Sequence, residues 1–232
     1  MEDRKMKLKQ HSYFHKGMRI PKPENLELNR EKLVISSLPW GHRDNIASYI
    51  QKLADFFVAA KDDAEATSPF PRYPQYSNNL NNLQIAMQVV NDNLFKQKNQ
   101  EELQSGLEII ACYRENNEFG WVSYGGPDIL LWKNSGELRL LHHANNLASH
   151  RKQNCSPLPK NMLGVYRSIH PHIESIQLED GDKLFLLYSS RLNPFHIESF
   201  QSNDRSLASL VNQLFEKDPK ESFWIAELES IA

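Results

Sequence analysis

The 232-residue sequence predicts an α+β fold, and three observations carry that prediction. Two stretches in the first hundred residues repeat apolar side chains at steps of three and four, the helical period. Short apolar runs between Leu107 and Leu141 are joined by tight links rich in Asn and Gly, the pattern of an antiparallel meander. A third helical pattern and a last apolar run close the chain. Hydrophobic residues make up 40% and aromatic residues 10%, enough to fill the core of one domain of this length. The reading is therefore a single domain over residues 1–232, with 1–11 as a flexible N-terminal tail.

Each element has its own signal. Leu33-Val34-Ile35 predicts a short strand. Past Pro39-Trp40-Gly41-His42, with Asp44 as N-cap, a helix near 45–60 follows from Ile46, Tyr49, Ile50, Leu53, Phe56, Phe57 and Ala60. The Pro-, Asn- and Ser-rich stretch from Thr67 to Asn79 reads as a loop. Leu80, Leu83, Met87, Val90 and Leu94 form the seam of a second helix near 80–97. Strands are predicted at Leu107–Tyr113, Phe119–Tyr124, Ile129–Trp132 and Leu138–Leu141, turning at Asn116-Asn117 and at Asn134-Ser135-Gly136. Residues 142–160 read as loop, and Ile169 to Ile173 leads into Ile176-Gln177-Leu178. Glu179-Asp180-Gly181-Asp182 is turn chemistry, with no EF-hand spacing after it, and it launches the apolar run Leu184–Tyr188. Leu207, Leu210, Val211, Leu214 and Phe215 predict the last helix, and Phe223–Leu228 the last strand.

Composition excludes several classes of function. With 27 Lys and Arg against 29 Asp and Glu, the chain lacks the cationic excess on which nucleic-acid affinity rests. Arg4, Lys5, Lys7 and Lys9 are read as a solvated tail. Cys112 and Cys155 show no CxxC spacing, so neither a disulfide framework nor a zinc site is indicated. No apolar stretch reaches the roughly 18 residues of a membrane span, and the expectation is a soluble cytoplasmic protein. His142, His143 and His150 fall in a polar loop, while His170 and His172 alternate along a strand. Without a Cys or Asp cluster beside them they are read as solvated.

The segment Gly181 to Leu192, GDKLFLLYSSRL, resembles the strand of metal-dependent protein phosphatases of the PPM, or type 2C, family, whose usual form is GDxLLLxSDGL. Other matches follow in order. Ser36-Ser37-Leu38-Pro39-Trp40-Gly41-His42 stands where the family has ADGxGGH, with Ala47-Ser48 in the next helix. Ile85-Ala86 and Val90-Asn91 fit the second helix, and Ser105-Gly106-Leu107 the GTT that starts a strand. Gly125-Gly126-Pro127-Asp128 takes the place of a GDSR hairpin, Asn161-Met162-Leu163-Gly164 of a short LG segment, and Glu221 to Ala226 of the closing DNITVV strand. The resemblance runs from about Gly17 to Leu228. It implies an α-β-β-α sandwich of two mainly antiparallel sheets flanked by helices.

The family's chemistry rests on aspartates that hold two Mg²⁺ or Mn²⁺ ions about 3.5–4 Å apart around an activated water. Carried over position by position, Asn25 replaces the first Asp, Ser37 the second, and Leu38 the glycine beside it. Ser190 replaces the third Asp, and Glu221 alone remains an acid. Like unit charges about 4 Å apart repel by roughly 4 kcal/mol at an effective dielectric near 20, and two divalent ions multiply that several-fold. Hydroxyls and one amide do not offset it. The family's phosphate-gripping Arg falls near Ile20, next to Arg19. Around the former cleft, Trp40 is placed to plug the opening, Arg191 to pair with Glu221, and His42 is the one base near Ser37 in sequence. The resemblance thus implies a catalytically inactive, phosphatase-like domain. It has no catalytic residues, no cofactor and no metal, and acts by binding a protein partner in signalling. The alternatives are a divergent metal-dependent serine/threonine phosphatase, or an anion sensor built on Arg19 or Arg191.

Overall fold

Strand-period burial and helical seams divide the chain much as the sequence does, and the computed structural model adds two strands ahead of the first predicted one. It describes residues 5–17, 19–43, 46–62, 68–144, 159–189, 200 and 204–231. In chain order the elements are β1 (Lys5–Tyr13), β2 (Glu24–Leu28), β3 (Leu33–Gly41), α1 (Ile46–Asp62) and α2 (Asn78–Lys98). Then come β4 (Ser105–Glu115), β5 (Glu118–Tyr124), β6 (Asp128–Trp132), β7 (Leu138–His142), β8 (His172–Gln177), β9 (Lys183–Ser189), α3 (Leu207–Lys217) and β10 (Phe223–Ile231). Among the described residues every strand pairing is antiparallel. No helix among the described residues is long and apolar enough to cross a membrane.

The chain forms two units. One comprises Met1–Pro23, Gly126–Lys160 and Leu178–Ala232, and the other Glu24–Gly125 and Asn161–Gln177. In the first, a five-stranded sheet runs β1-β10-β9-β6-β7. Leu130, Trp132, Phe185, Leu187, Phe223 and Ile225 line the face that meets Leu207, Leu210 and Leu214 of α3. The Ser206 hydroxyl caps α3 by accepting from the Ser209 N–H.

β1 corrects the reading of 1–11 as a tail, because Lys5–Tyr13 pairs along β10 from Ile231 to Phe223. Alternating Lys5, Lys7 and Lys9 hid the strand. Yet Met6 between them is buried, and lysines on an exposed edge strand discourage further pairing.

In the second unit the order is β2-β3-β4-β5-β8, and α1 and α2 cover one face. Leu33, Ile35, Leu107, Ile109, Ala111 and Val122 meet Ile50, Leu53, Phe57, Leu83, Met87 and Val90 there. α2 starts at Ser77, whose hydroxyl accepts from the Leu80 N–H and is bonded to the Tyr113 hydroxyl at 2.9 Å. The Tyr113 ring crosses the strand opposite at Gly120, where any Cβ would strike it, so only glycine fits.

The first turns of α2 read as polar, yet Asn79, Asn81, Asn82 and Gln84 are buried. Asn81 bonds the Tyr73 N–H and the carbonyls of Tyr73, Tyr76 and Ser77, while Gln84 donates to Pro71 O and Asn82 accepts from Arg72. Asn81 and Gln84 thereby satisfy the backbone of the Pro-rich loop, and Asn82 holds the Arg72 side chain there. Asp44 lies outside the described residues.

Candidate functional site

Four positions carried the expectation of a vacated metal site, and three are among the described residues. Ser37 sits in the middle of β3, opposite Ile109, with four further residues of β3 paired beyond it. By strand alternation it shares the helix-covered face with Leu33 and Ile35. Its hydroxyl is fully buried and has no hydrogen-bond partner among the described residues. Ser37 therefore lies within its strand and not at its end. This placement also separates Ser37 from His42, which lies exposed just past β3, held by a backbone bond to Gln104 O and by Ser105 Oγ donating to its carbonyl. No Ser37–His42 dyad forms.

The opposite face of the same sheet carries Asn25, Ser36, Leu38, Glu108 and Trp40. Asn25 stands across from Ser36 in register, and Leu38 across from Glu108. The Trp40 indole N–H donates to Glu108 Oε1 at 2.8 Å, so the ring is tied to a buried carboxylate. Sequence reasoning passed over Glu108. The signal was an acid inside an otherwise apolar strand, Ser105 to Tyr113.

In the other unit Glu221 is buried ahead of β10 and accepts a hydrogen bond from Ser189 Oγ. Its neighbour Ser222 accepts from the His15 N–H at 2.9 Å. Ser190 and Arg191 lie outside the described residues, and with them the expected Arg191–Glu221 pair. Arg19 is described, half-buried in the link between β1 and β2. Neither Arg19 nor Ile20 lies in a strand.

The same sheet end holds a pair that sequence reasoning missed. Asp128 opens β6 opposite Leu187, two residues before Ser189 on β9. Its buried carboxylate accepts from His143 Nδ1 at 3.0 Å and from the Ala144 N–H. Burial pushes the Asp128 carboxyl above its ordinary range, against the opposing pull of His143 and the Ala144 N–H. The hydrogen bond to Asp128 raises the His143 imidazole despite partial burial. His143 was read as solvated; instead it anchors the chain leaving β7.

By sequence, no family model and no curated protein matches the chain. Solved structures do. PstP/Ppp, the serine/threonine phosphatase of Mycobacterium tuberculosis, is 13% identical at a TM-score of 0.65, covering 98% of this chain and 100% of its own. PppA of Pseudomonas aeruginosa is 11% identical at 0.66, covering 98% of each chain. MsPP of Mycobacterium smegmatis, a PPM Ser–Thr phosphatase, is 15% identical at 0.63, covering 97% of this chain and 98% of its own. The chain has the PPM phosphatase fold. PstP has also been solved with two manganese ions.

The PPM fold implies a pair of divalent ions, and the residues here do not fit them. Hard cations need oxygen ligands whose negative charge offsets their own. Ser37 offers a neutral hydroxyl on the helix-covered face, Asn25 an amide, Leu38 nothing, and Glu221 one carboxylate already engaged by Ser189. Among the described residues no group of three or more His, Cys, Asp or Glu side chains is arranged to hold a metal ion.

Proposed function

We propose that this PPM-fold domain has given up metal-dependent phosphoester hydrolysis and works by binding another protein. One observation carries the reading: the positions that match the family's aspartates hold Asn25, Ser37 and Ser190, with only Glu221 acidic. The surroundings support it. Ser37 is set into the packed face under α1 and α2, and Glu221 accepts a serine hydroxyl. Glu108, the nearest other acid on the β3–β4 pair, is bonded by Trp40. A water nucleophile activated by two cations has no place to form on such groups.

The test is hydrolysis of p-nitrophenyl phosphate and of a phosphothreonine peptide in millimolar Mn²⁺ or Mg²⁺. The expected rate is that of buffer alone. Robust metal-dependent turnover that disappears in Glu221→Ala contradicts the proposal.

A further inference from the structure

β1 is the outer strand of its sheet, with β10 on one side and, among the described residues, no strand on the other. Lys7, Lys9, Gln10, His11 and Ser12 are exposed along it, and Gln10 Oε1 accepts from the Trp224 indole N–H at 2.9 Å. The two faces of the strand differ. By alternation Lys7, Lys9 and His11 share the side on which Tyr13 packs beside Phe223. Met6, buried, and Leu8, half-buried, share the other.

The chain's cations gather on this strand and the link that follows it. Of the 27 Lys and Arg in the sequence, seven fall in residues 1–23; of the 29 Asp and Glu, only Glu2 and Asp3 do. The acids beside β1 belong to β10, where Glu229 stands opposite Lys7 and Glu227 opposite Lys9. Glu227 is buried and held by Lys183 at 2.9 Å, while Glu229 is half-buried and 3.9 Å from Lys9. They offset the lysines from the inner side only, and 63% of the Lys9 side chain remains exposed. β10 also shows which sequence suits β1 as a neighbour. Ala226-Glu227-Leu228-Glu229 alternates apolar and acidic residues, with the acids across from lysines and Leu228 across from Leu8. Opposite charges facing each other across a strand pair stabilise it, and like charges weaken it.

We propose that the outer edge of β1 receives an extended segment of another polypeptide in which Asp or Glu alternates with apolar residues. Its acids stand opposite Lys7 and Lys9, about 6.8 Å apart along the strand. Its apolar residues lie beside Leu8, and the outer backbone groups of β1 supply the ladder. A second copy of this chain is disfavoured, because its own β1 would set lysine against lysine. The inference rests on the reading of the domain as a binding module.

The probe is a pair of synthetic peptides as long as β1, nine residues, and of one composition. One alternates Glu with Val and Leu, and the other has its glutamates in a single block. Both are titrated into the isotope-labelled full chain at low and high salt. The alternating peptide should bind at least about tenfold tighter, weaken several-fold in high salt, and slow exchange of the β1 amides that point away from β10. Lys7→Gln combined with Lys9→Gln, two surface changes whose folding a melting curve checks, should lose that preference. Lys52→Gln on α1 should keep it. Equal affinity for the two peptides, binding unchanged in the double variant, contacts mapped elsewhere, or no binding at millimolar peptide overturns the proposal. So does a thymidine 12-mer or a phosphatidylserine vesicle that holds β1 more tightly than the peptide. None of these results bears on the phosphatase assay, so the two readings fail separately.

Discussion

His143 and Asp128 show how much a single residue can conceal in a sequence. The imidazole stands in a polar stretch and reads as solvent-facing, yet its Nδ1 is bonded to a carboxylate buried at the start of β6. The partner is 15 positions away, and only the β6–β7 pairing brings the two together. The folded-state value of His143 lies above its ordinary one, so its stabilising contribution is fully present below about pH 6.5. That contribution is lost as pH rises through the folded value. Denaturant unfolding of the native chain and of His143→Gln should therefore give curves that separate most below about pH 6.5 and draw together as pH rises through the folded value. A constant gap across that range would mean that the pair is not ionised. Ser37 makes the opposite point, because its identity was legible but its direction was not. Counting alternation from Leu33 puts it on the helix side, a result that the motif alone did not give.

At the scale of elements, the helical seams and the meander were readable because their side chains repeat with the right period. The strands β4, β5, β6, β7 and β9 appear where apolar runs and turn residues placed them. β1 was not readable, since the lysines alternating along it, Lys7 and Lys9 exposed, outweighed Met6 and Leu8 in any local count. The buried amides of α2 were missed for a related reason: Asn and Gln look like surface until the loop they satisfy is known. A chain shortened to begin at Phe14 tests the status of β1. Removing it strips the outer partner from β10 and uncovers the site of Met6, so stability should drop by at least about 2 kcal/mol, with a tendency to aggregate. An unchanged melting temperature would show that the segment behaves as the tail that its composition suggests.

At the scale of the whole molecule, the fold is shown, and the loss of its chemistry is what we propose. The likeness to PPM phosphatases extends over nearly the full chain at 11–15% identity, which is what packing rules preserve when most side chains change. The resemblance was legible because glycines, turns and apolar runs kept their order, and the reading of Asn25, Ser37 and Ser190 as replaced aspartates rests on that resemblance. The most direct measurement of the central claim is thermal unfolding with millimolar MnCl₂ against EDTA, paired with calorimetric Mn²⁺ titration. A ligand that favours the folded state must raise its melting temperature, by about 2.7 kcal/mol of added stability at a hundredfold excess over Kd. The account predicts coincident melting curves and no saturable heat. A rise of several degrees in Mn²⁺, lost in Glu221→Ala, would contradict it and restore this fold's metal centre to the chain.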